Sequence, residues 1–191
     1  LFLFYFLPLA LALYYALPRR GKHLALTLLS FVFYGWANPL FLVLLLASTT
    51  LDYYTGLVIA GRPNEDGSLE PLPVGGPRSR KQRWALGISI CANLGLLGFF
   101  KYCNFATESL NGVGEALGLP GLRLDLAFAV ALPLGISFYT FQSMSYTIDV
   151  YRGSAAAKRN FIDFACFVSM FPQLVAGPII RYSEVARQLE H

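Results

Sequence analysis

The sequence predicts an all-α membrane protein, a polytopic helical bundle with a re-entrant or kinked segment near its carboxy-terminal end. Three observations predict this fold class. Of the 191 residues, 55% are hydrophobic and 14% are charged, whereas a soluble domain carries roughly a quarter charged residues. Several apolar runs approach the ~20 residues that a helix needs to cross a bilayer. Most Lys and Arg residues cluster between these runs.

The predicted helices coincide with the apolar runs. In chain order, the runs cover residues 1–17, 23–36, 40–60, 84–111, 132–151 and 161–180. Pro18 and the pair Asn38-Pro39 separate the first three runs, because proline disfavours helical geometry in the residue before it. The third run is long enough to span the hydrocarbon, whereas the second is short for a spanning helix.

A strongly hydrophilic segment, residues 61–83, follows the third run. It is rich in Pro and Gly and carries charges of both signs. This composition is typical of a mobile loop.

Basic residues predict the orientation of the chain in the membrane. Two segments poor in Lys and Arg, the Asn38-Pro39 turn and residues 108–125, alternate with the basic clusters. By the positive-inside rule the clusters face the cytoplasm and the amino terminus faces out. We therefore predict a single multi-pass transmembrane domain over residues 1–191, with 61–83 as a cytoplasmic loop. The basic clusters lie at residues 19–23, 78–83 and 152–159.

The last apolar run contains the helix breakers Pro172, Gly177 and Pro178 at membrane depth. Backbone that leaves helical geometry there must be sheltered by protein or must line a watery cavity, because lipid offers no hydrogen bonds. We expect a re-entrant element, and a kinked full span is the alternative.

Both ends of the sequence have the features of a truncated chain. Leu1 already lies in an apolar run, and residues 181–191 stop within a helical pattern without a cap. We expect a domain truncated at both ends.

Ionisable residues inside the predicted helices need a reason, because a charge there costs about 2.5–3.5 kcal/mol on insertion scales. Asp52 belongs either to an internal polar site or to a hydrogen-bonded structural position near an interface, and the structural interpretation is favoured. Lys101 is expected to extend its stem toward the outer face.

The run 132–151 is studded with hydroxyl and amide side chains. Gln142, Tyr146 and Asp149 are spaced i, i+4, i+7 and therefore share one face of a helix. Such a face fits either a wet cavity or a seam of hydrogen bonds between helices. The spacing alone leaves both interpretations open.

The remaining composition argues against metal and nucleic-acid sites. Cys91, Cys103 and Cys166 all lie in apolar runs, at spacings that match neither a metal site nor a redox pair. The net charge of +4 is modest, and topology alone explains the basic clusters. We predict no metal, no bound cofactor and no nucleic-acid partner; the lipid bilayer is the first partner.

Two late segments resemble the paired signature of the membrane-bound O-acyltransferase (MBOAT) family. They read LPLGISFYTFQSMSYTIDVYRG and NFIDFACFVSMFPQLVAGPIIRY. The most similar branch is that of the alginate O-acetyltransferases, whose amino-terminal helices also resemble LGLLGFFKYCNF and SFVFYGWANPLFLVLLLAST. The likeness covers nearly the whole chain apart from residues 62–78, which have the character of a surface insertion.

The resemblance implies a partial MBOAT fold and the amino-terminal part of an O-acyltransferase. Such an enzyme transfers an acetyl group to hydroxyls of an extracytoplasmic polysaccharide such as alginate. Acetyl-CoA or an acyl carrier would serve as donor substrate, and other polysaccharide-acetylation proteins would be partners. The expected location is the bacterial cytoplasmic (inner) membrane.

Alternatives to this function remain. The D-alanyl transferases that modify teichoic acids share the fold and the Pro-Gln-Leu-Ala-Gly-Pro style of motif. A membrane transporter or flippase also has broken helices and intramembrane polar residues, although the sequence shows no internal repeat. An inactive paralogue that scaffolds a polysaccharide-export complex is a third possibility.

The family relies on a histidine in its carboxy-terminal half, because imidazole can take the proton of an alcohol while the acyl carbonyl is attacked. The chain contains only His23, in a basic cluster, and His191, at its end. Neither fits that role, so we expect no catalytic residue here and no activity from these residues alone.

The residues that match the motifs are expected to shape a substrate path rather than transfer protons. One set forms a lining face of the run 132–151, and a second set forms the re-entrant part. The predicted path residues are Tyr139, Gln142, Tyr146, Asp149, Gln173, Gly177, Pro178 and Arg181.

Overall fold

The computed structural model describes residues 2–61, 69–118, 132–133, 135–170 and 182, and these ranges contain helices and no strand. The predicted all-α class is therefore confirmed for the part of the chain that is described. A π-helical turn, Phe2–Phe6, leads into the first of six α-helices. They are α1 (Leu7–Ala16), α2 (Arg19–Ala37), α3 (Pro39–Ala60), α4 (Arg80–Ala116), α5 (Ile136–Arg152) and α6 (Phe161–Ser169).

Side-chain caps set where three of the helices begin. The Asn38 side chain accepts a hydrogen bond from the amide of Leu40 at 2.9 Å, with Pro39 as the first residue of α3. Asparagine at the cap and proline at the first helical position are both favoured there. Asn160 caps α6 in the same way, and Ser79 with Gln82 forms a reciprocal capping box at the start of α4.

The predicted loop 61–83 is corrected at its carboxy-terminal end. The capping box starts α4 at Arg80, so residues 80–83 are helical. Part of the remaining segment also packs against the bundle: Leu72 contacts the core, and Arg78 donates from Nε to the carbonyl oxygen of Tyr151 at 2.7 Å. The part of the segment around Leu72 and Arg78 is therefore held against the bundle.

Within the described ranges, two helices are long and apolar enough to cross a membrane, namely α3 with 22 residues and α4 with 37. Together with the composition, this places the chain among membrane proteins. At about 1.5 Å per residue α4 extends for about 55 Å, well beyond the ~30 Å of hydrocarbon. Lys101 follows Arg83 by about 27 Å along this helix and has an exposed side chain. Its extension toward the outer face stays a prediction.

Contacts between helix ends bring the predicted basic clusters to one end of the bundle, which we call the basic end. Gln82 near the start of α4 donates to the carbonyl oxygen of Ile59 near the end of α3, at 2.7 Å. Tyr53 of α3 donates to the carbonyl oxygen of Arg159, just before α6. Since α2 also starts here, beside α6, all three clusters lie at the basic end.

The last predicted helix is shorter in the structure than its apolar run. The helix α6 ends at Ser169, and Met170 has non-helical backbone angles. Nine residues extend for about 13 Å, less than half of the hydrocarbon thickness. The predicted interruption by Pro172, Gly177 and Pro178, and the re-entrant or kinked continuation, lie outside the described residues.

A glycine in α3 allows the closest approach between α3 and α5. A Cβ atom added at Gly56 would lie 2.6 Å from the hydroxyl oxygen of Tyr146 and 2.8 Å from its Cζ. The fully buried ring of Tyr146 also packs on Phe164 of α6, with 4.3 Å between ring centroids. Tyr146 therefore joins three helices at a position that only glycine leaves open.

We predict that Gly56→Ala lowers the stability of the full-length protein by about 1–3 kcal/mol, the usual cost of overpacking a filled core. Thermal unfolding of the protein in detergent measures this change. The matched control is Gly95→Ala in α4, where an added Cβ would meet no atom within 4 Å. Because alanine favours helix more than glycine, the control should match or exceed the wild-type melting temperature. Equal melting temperatures for the two variants would contradict the proposed packing.

Candidate functional site

Three helices each contribute a pair of polar residues to one buried site, which we call the Asp52 cluster. In each pair the residues are four positions apart, so both lie on one face of their helix. The pairs are Ser48 and Asp52 of α3, Ser89 and Asn93 of α4, and Ser143 and Thr147 of α5, all of them buried.

The carboxylate of Asp52 accepts hydrogen bonds from both neighbouring helices. Its Oδ1 accepts from the hydroxyl of Ser89 at 2.6 Å, and its Oδ2 accepts from the side-chain amide of Asn93 at 2.7 Å. Oδ2 also accepts from the hydroxyl of Ser143. The residue has 0% solvent exposure, so these three neutral donors replace the water that the carboxylate has lost.

A second layer of hydrogen bonds holds the donors in place. The Ser48 hydroxyl donates to Oδ1 of Asn93 at 2.8 Å, which orients the amide nitrogen toward Asp52. The hydroxyl oxygens of Ser89 and Thr147 lie 3.0 Å apart. A buried polar network in which every member is bonded holds its helices in one arrangement, because any shift leaves a polar group unpaired. The structure thus supports the structural interpretation of Asp52.

The predicted lining face of α5 is buried and largely contacts α6. The Gln142 side chain donates to the carbonyl oxygen of Phe167 at 2.6 Å. The Tyr146 hydroxyl accepts from the backbone amide of Lys158 at 3.3 Å. Tyr139 and Asp149 are also buried. Among the described residues this face forms a seam between helices, and its role in a substrate path stays a prediction.

Several predicted site residues cannot be placed. Gln173, Gly177, Pro178 and Arg181, together with His191, lie outside the described residues.

His23 has a partner that the sequence did not indicate. Its Nδ1 lies 2.8 Å from Oδ1 of Asp163, and both side chains are partly exposed at the basic end. The contact joins the start of α2 to the first turn of α6. Nothing in the spacing of the two residues, 140 positions apart, could have predicted it.

Five members of the Asp52 cluster were missed as site residues, namely Ser48, Ser89, Asn93, Ser143 and Thr147. The signal that could have found them is the repeated i, i+4 spacing of small polar residues in otherwise apolar helices. Among the described residues, no group of three or more His, Cys, Asp or Glu side chains is arranged to hold a metal.

Comparison with known proteins finds relatives over the whole chain. The chain is 42% identical over 191 residues to a probable alginate O-acetylase AlgI from Azotobacter vinelandii, covering 35% of that protein. It is also 42% identical over 191 residues to the protein of the same name from Pseudomonas aeruginosa, covering 34% of it. A peptidoglycan O-acetyltransferase from Helicobacter pylori is 31% identical over 219 aligned positions, which span all of this chain and 38% of that protein.

The chain therefore spans about a third of the length of these relatives. No family model matches the chain. No solved structure matches it either.

We predict that Asp52→Ala strongly destabilises the full-length protein. The substitution leaves the hydroxyl of Ser143 buried without an acceptor and removes one acceptor from both Ser89 and Asn93, and a buried polar group that loses its partner costs about 1–3 kcal/mol. Thermal unfolding in detergent and the amount of protein in the membrane measure the loss. Asp163→Ala is the matched control: its carboxylate is partly exposed, and the loss should stay within about 1 kcal/mol.

A double-mutant cycle isolates the hydrogen bond itself. Asp52→Ala and Asn93→Ala should couple by more than ~0.5 kcal/mol, because the two residues share one network. Additive losses would contradict the network.

Proposed function

We propose that this chain, a relative over its whole length of the alginate O-acetylases, is part of a membrane O-acetyltransferase. The proposed reaction transfers an acetyl group to hydroxyls of an extracytoplasmic polysaccharide such as alginate. The identity of 42% over all 191 residues carries the proposal, and it confirms the resemblance to the alginate branch of the MBOAT family that the two late motifs indicate. The activity belongs to the whole protein, of which these residues correspond to about a third.

We propose alginate rather than peptidoglycan as the acceptor, and the sequence identities to the relatives support this choice. The relatives named for alginate are 42% identical, whereas the relative named for peptidoglycan is 31% identical. Both names describe O-acetylation of a polysaccharide, so the reaction class does not depend on which polymer is the acceptor.

The donor is proposed to be acetyl-CoA or an acyl carrier that approaches from the basic end. Both donor types carry phosphate groups. The exposed side chains of Arg80, Lys81 and Arg83 at the start of α4 provide positive charge there. Electrostatic attraction of this kind raises the local concentration of an anionic ligand. We place this end at the cytoplasmic face of the bacterial inner membrane, by the positive-inside rule.

The substrate path is proposed to run along α5 and its continuation past α6. Buried polar side chains in membrane helices usually face other helices or a cavity, because lipid cannot satisfy them. The proposed path residues are Tyr139, Gln142, Tyr146, Asp149, Gln173, Gly177, Pro178 and Arg181. Further polysaccharide-acetylation proteins are proposed as partners of the complete enzyme.

We predict that the full-length protein acetylates alginate in a bacterium that makes the polymer but lacks its own O-acetylase. The acetyl content of purified polymer is the measurement. Gln142→Ala should lower it about tenfold, since one hydrogen bond of ~1.4 kcal/mol corresponds to a factor of ten. Ser145 follows Gln142 by three positions, and its hydroxyl donates to the backbone oxygen of Gln142. Ser145→Ala should therefore leave the acetyl content within about twofold of wild type.

Two outcomes would contradict this proposal. Polymer without acetyl groups, despite wild-type protein in the membrane, would remove the assignment as an O-acetyltransferase of alginate. Equal effects of Gln142→Ala and Ser145→Ala on the acetyl content would contradict the proposed path along Gln142.

We also predict the topology. In a background without native cysteines, an impermeant thiol reagent added to whole cells should modify Leu117→Cys, just beyond α4, and should not modify Val74→Cys. Both side chains are highly exposed in the structure. Permeabilising the inner membrane should restore labelling at position 74. The reverse pattern would show that the basic end faces out.

A further inference from the structure

Among the described residues, four buried hydroxyl groups lack a hydrogen-bond partner, and three of them lie on three different helices. These three belong to Tyr34 of α2, Tyr139 of α5 and Ser169 of α6. All three residues are at most 2% exposed. Burying a hydroxyl without a partner costs free energy, so most buried polar groups in proteins are bonded. Three such groups on three helices indicate a ligand for this part of the bundle.

The three residues lie at about the same height in the bundle. Thr27 of α2 lies beside Ile162 of α6, and both helices run away from the basic end. Tyr34 follows Thr27 by seven positions and Ser169 follows Ile162 by seven positions, so Tyr34 and Ser169 lie at the same level. On α5, which runs the opposite way, Gln142 contacts Phe167, and Tyr139 lies within about one helical turn of the level of Ser169. Tyr34 and Tyr139 are also close enough to interact electrostatically.

The end of α6 adds hydrogen-bond acceptors at this level. Ser169 is the last residue of the helix, and the last four carbonyl groups of a helix have no partner within it. The Gln142 side chain satisfies one of these groups, that of Phe167. Three hydroxyl donors and backbone acceptors therefore lie at one level of the bundle.

This combination fits a ligand with several neutral hydroxyl groups, since each such group both donates and accepts. A phosphate-bearing donor is a poorer match, because the Lys and Arg residues of α2 and α5 all lie toward the basic end and α6 has none. Tyr34 is only about 6 Å along the helix from the α2–α3 turn at the opposite end. That end is where an extracytoplasmic polymer would approach.

We propose that the hydroxyls of Tyr34, Tyr139 and Ser169 bind sugar hydroxyls of the acceptor polysaccharide. The proposal rests on the proposed O-acetyltransferase function and names an acceptor subsite within it. These residues are binding residues: they hold the acceptor and take no part in proton transfer.

Single substitutions in the full-length protein test the subsite. Tyr34→Phe, Tyr139→Phe and Ser169→Ala each remove one hydroxyl and keep the shape of the site. Each should raise the KM for de-acetylated alginate about five- to tenfold and leave the KM for the acyl donor unchanged. Because the removed hydroxyls have no partner within the protein, the melting temperature without polymer should stay equal or rise.

Two matched controls separate binding from stability. Tyr53→Phe removes a hydroxyl that does have a partner, the carbonyl oxygen of Arg159, so it should lower the melting temperature with no change in the KM for alginate. Thr140→Val removes a fourth buried hydroxyl without a partner. Thr140 shares its helix face with Ser143 and Thr147 by spacing, so the KM for alginate should again be unchanged.

Several results would overturn the subsite. They are an unchanged KM for alginate in all three variants, a raised KM for the donor instead, or a lowered melting temperature, which would show that the hydroxyls bond to other segments of the full-length protein. Binding of a fluorescent alginate oligosaccharide to purified protein is measured in parallel. If wild-type protein binds the oligosaccharide and the variants bind it five- to tenfold more weakly, yet no acetyl is transferred, the proposed function fails and the subsite stands. If wild-type protein does not bind the oligosaccharide, the subsite fails.

Discussion

Polar groups inside a bilayer must find their hydrogen-bond partners within the protein, because hydrocarbon offers none. This constraint is most severe at Asp52, whose carboxylate is fully buried and accepts from Ser89, Asn93 and Ser143. Because the donors come from α4 and α5, the two helices cannot move away from α3 without leaving a charged or polar group unpaired. The packing of Tyr146 on Gly56 then follows from the approach of α5 to α3. A network of hydrogen bonds thus positions the polar face of α5 that the proposed substrate path uses.

The same constraint explains how the two ends of the bundle differ. At the basic end, side chains and the loop that contains Arg78 satisfy backbone carbonyls of α3 and α5. The described part of the chain supplies no hydrogen-bond partner for the side-chain hydroxyls of Tyr34, Tyr139 and Ser169. The Asp52 carboxylate, by contrast, is bonded on three sides, by Ser143 only about one helical turn from Tyr139. We therefore assign a structural function to the Asp52 cluster and propose a binding function for the three unsatisfied hydroxyls. The anionic donor and the polyhydroxyl acceptor would then meet the protein from opposite ends.

Much of the fold could be predicted from the sequence, because the lengths of the apolar runs and the positions of the basic clusters can be read from local stretches of the chain. The six α-helices of the described residues and the Asn38-Pro39 turn follow from local chemistry. The start of α4 was misplaced because the capping box of Ser79 and Gln82 lies in a segment whose prolines and charges indicate a loop. The partners of Asp52 and of His23 could not be predicted, since they depend on which faces of distant helices meet. The motifs of α5 indicated a polar face correctly, but its spacing could not separate a seam from a passage.

An experimental structure of the full-length protein in a lipid nanodisc tests the arrangement of α3, α4 and α5 around Asp52. We predict that the side chains of Ser89, Asn93 and Ser143 lie within hydrogen-bonding distance of the Asp52 carboxylate, with no lipid between these helices. A structure in which the Asp52 carboxylate faces lipid, or in which α4 or α5 is separated from α3 at this level, would contradict it.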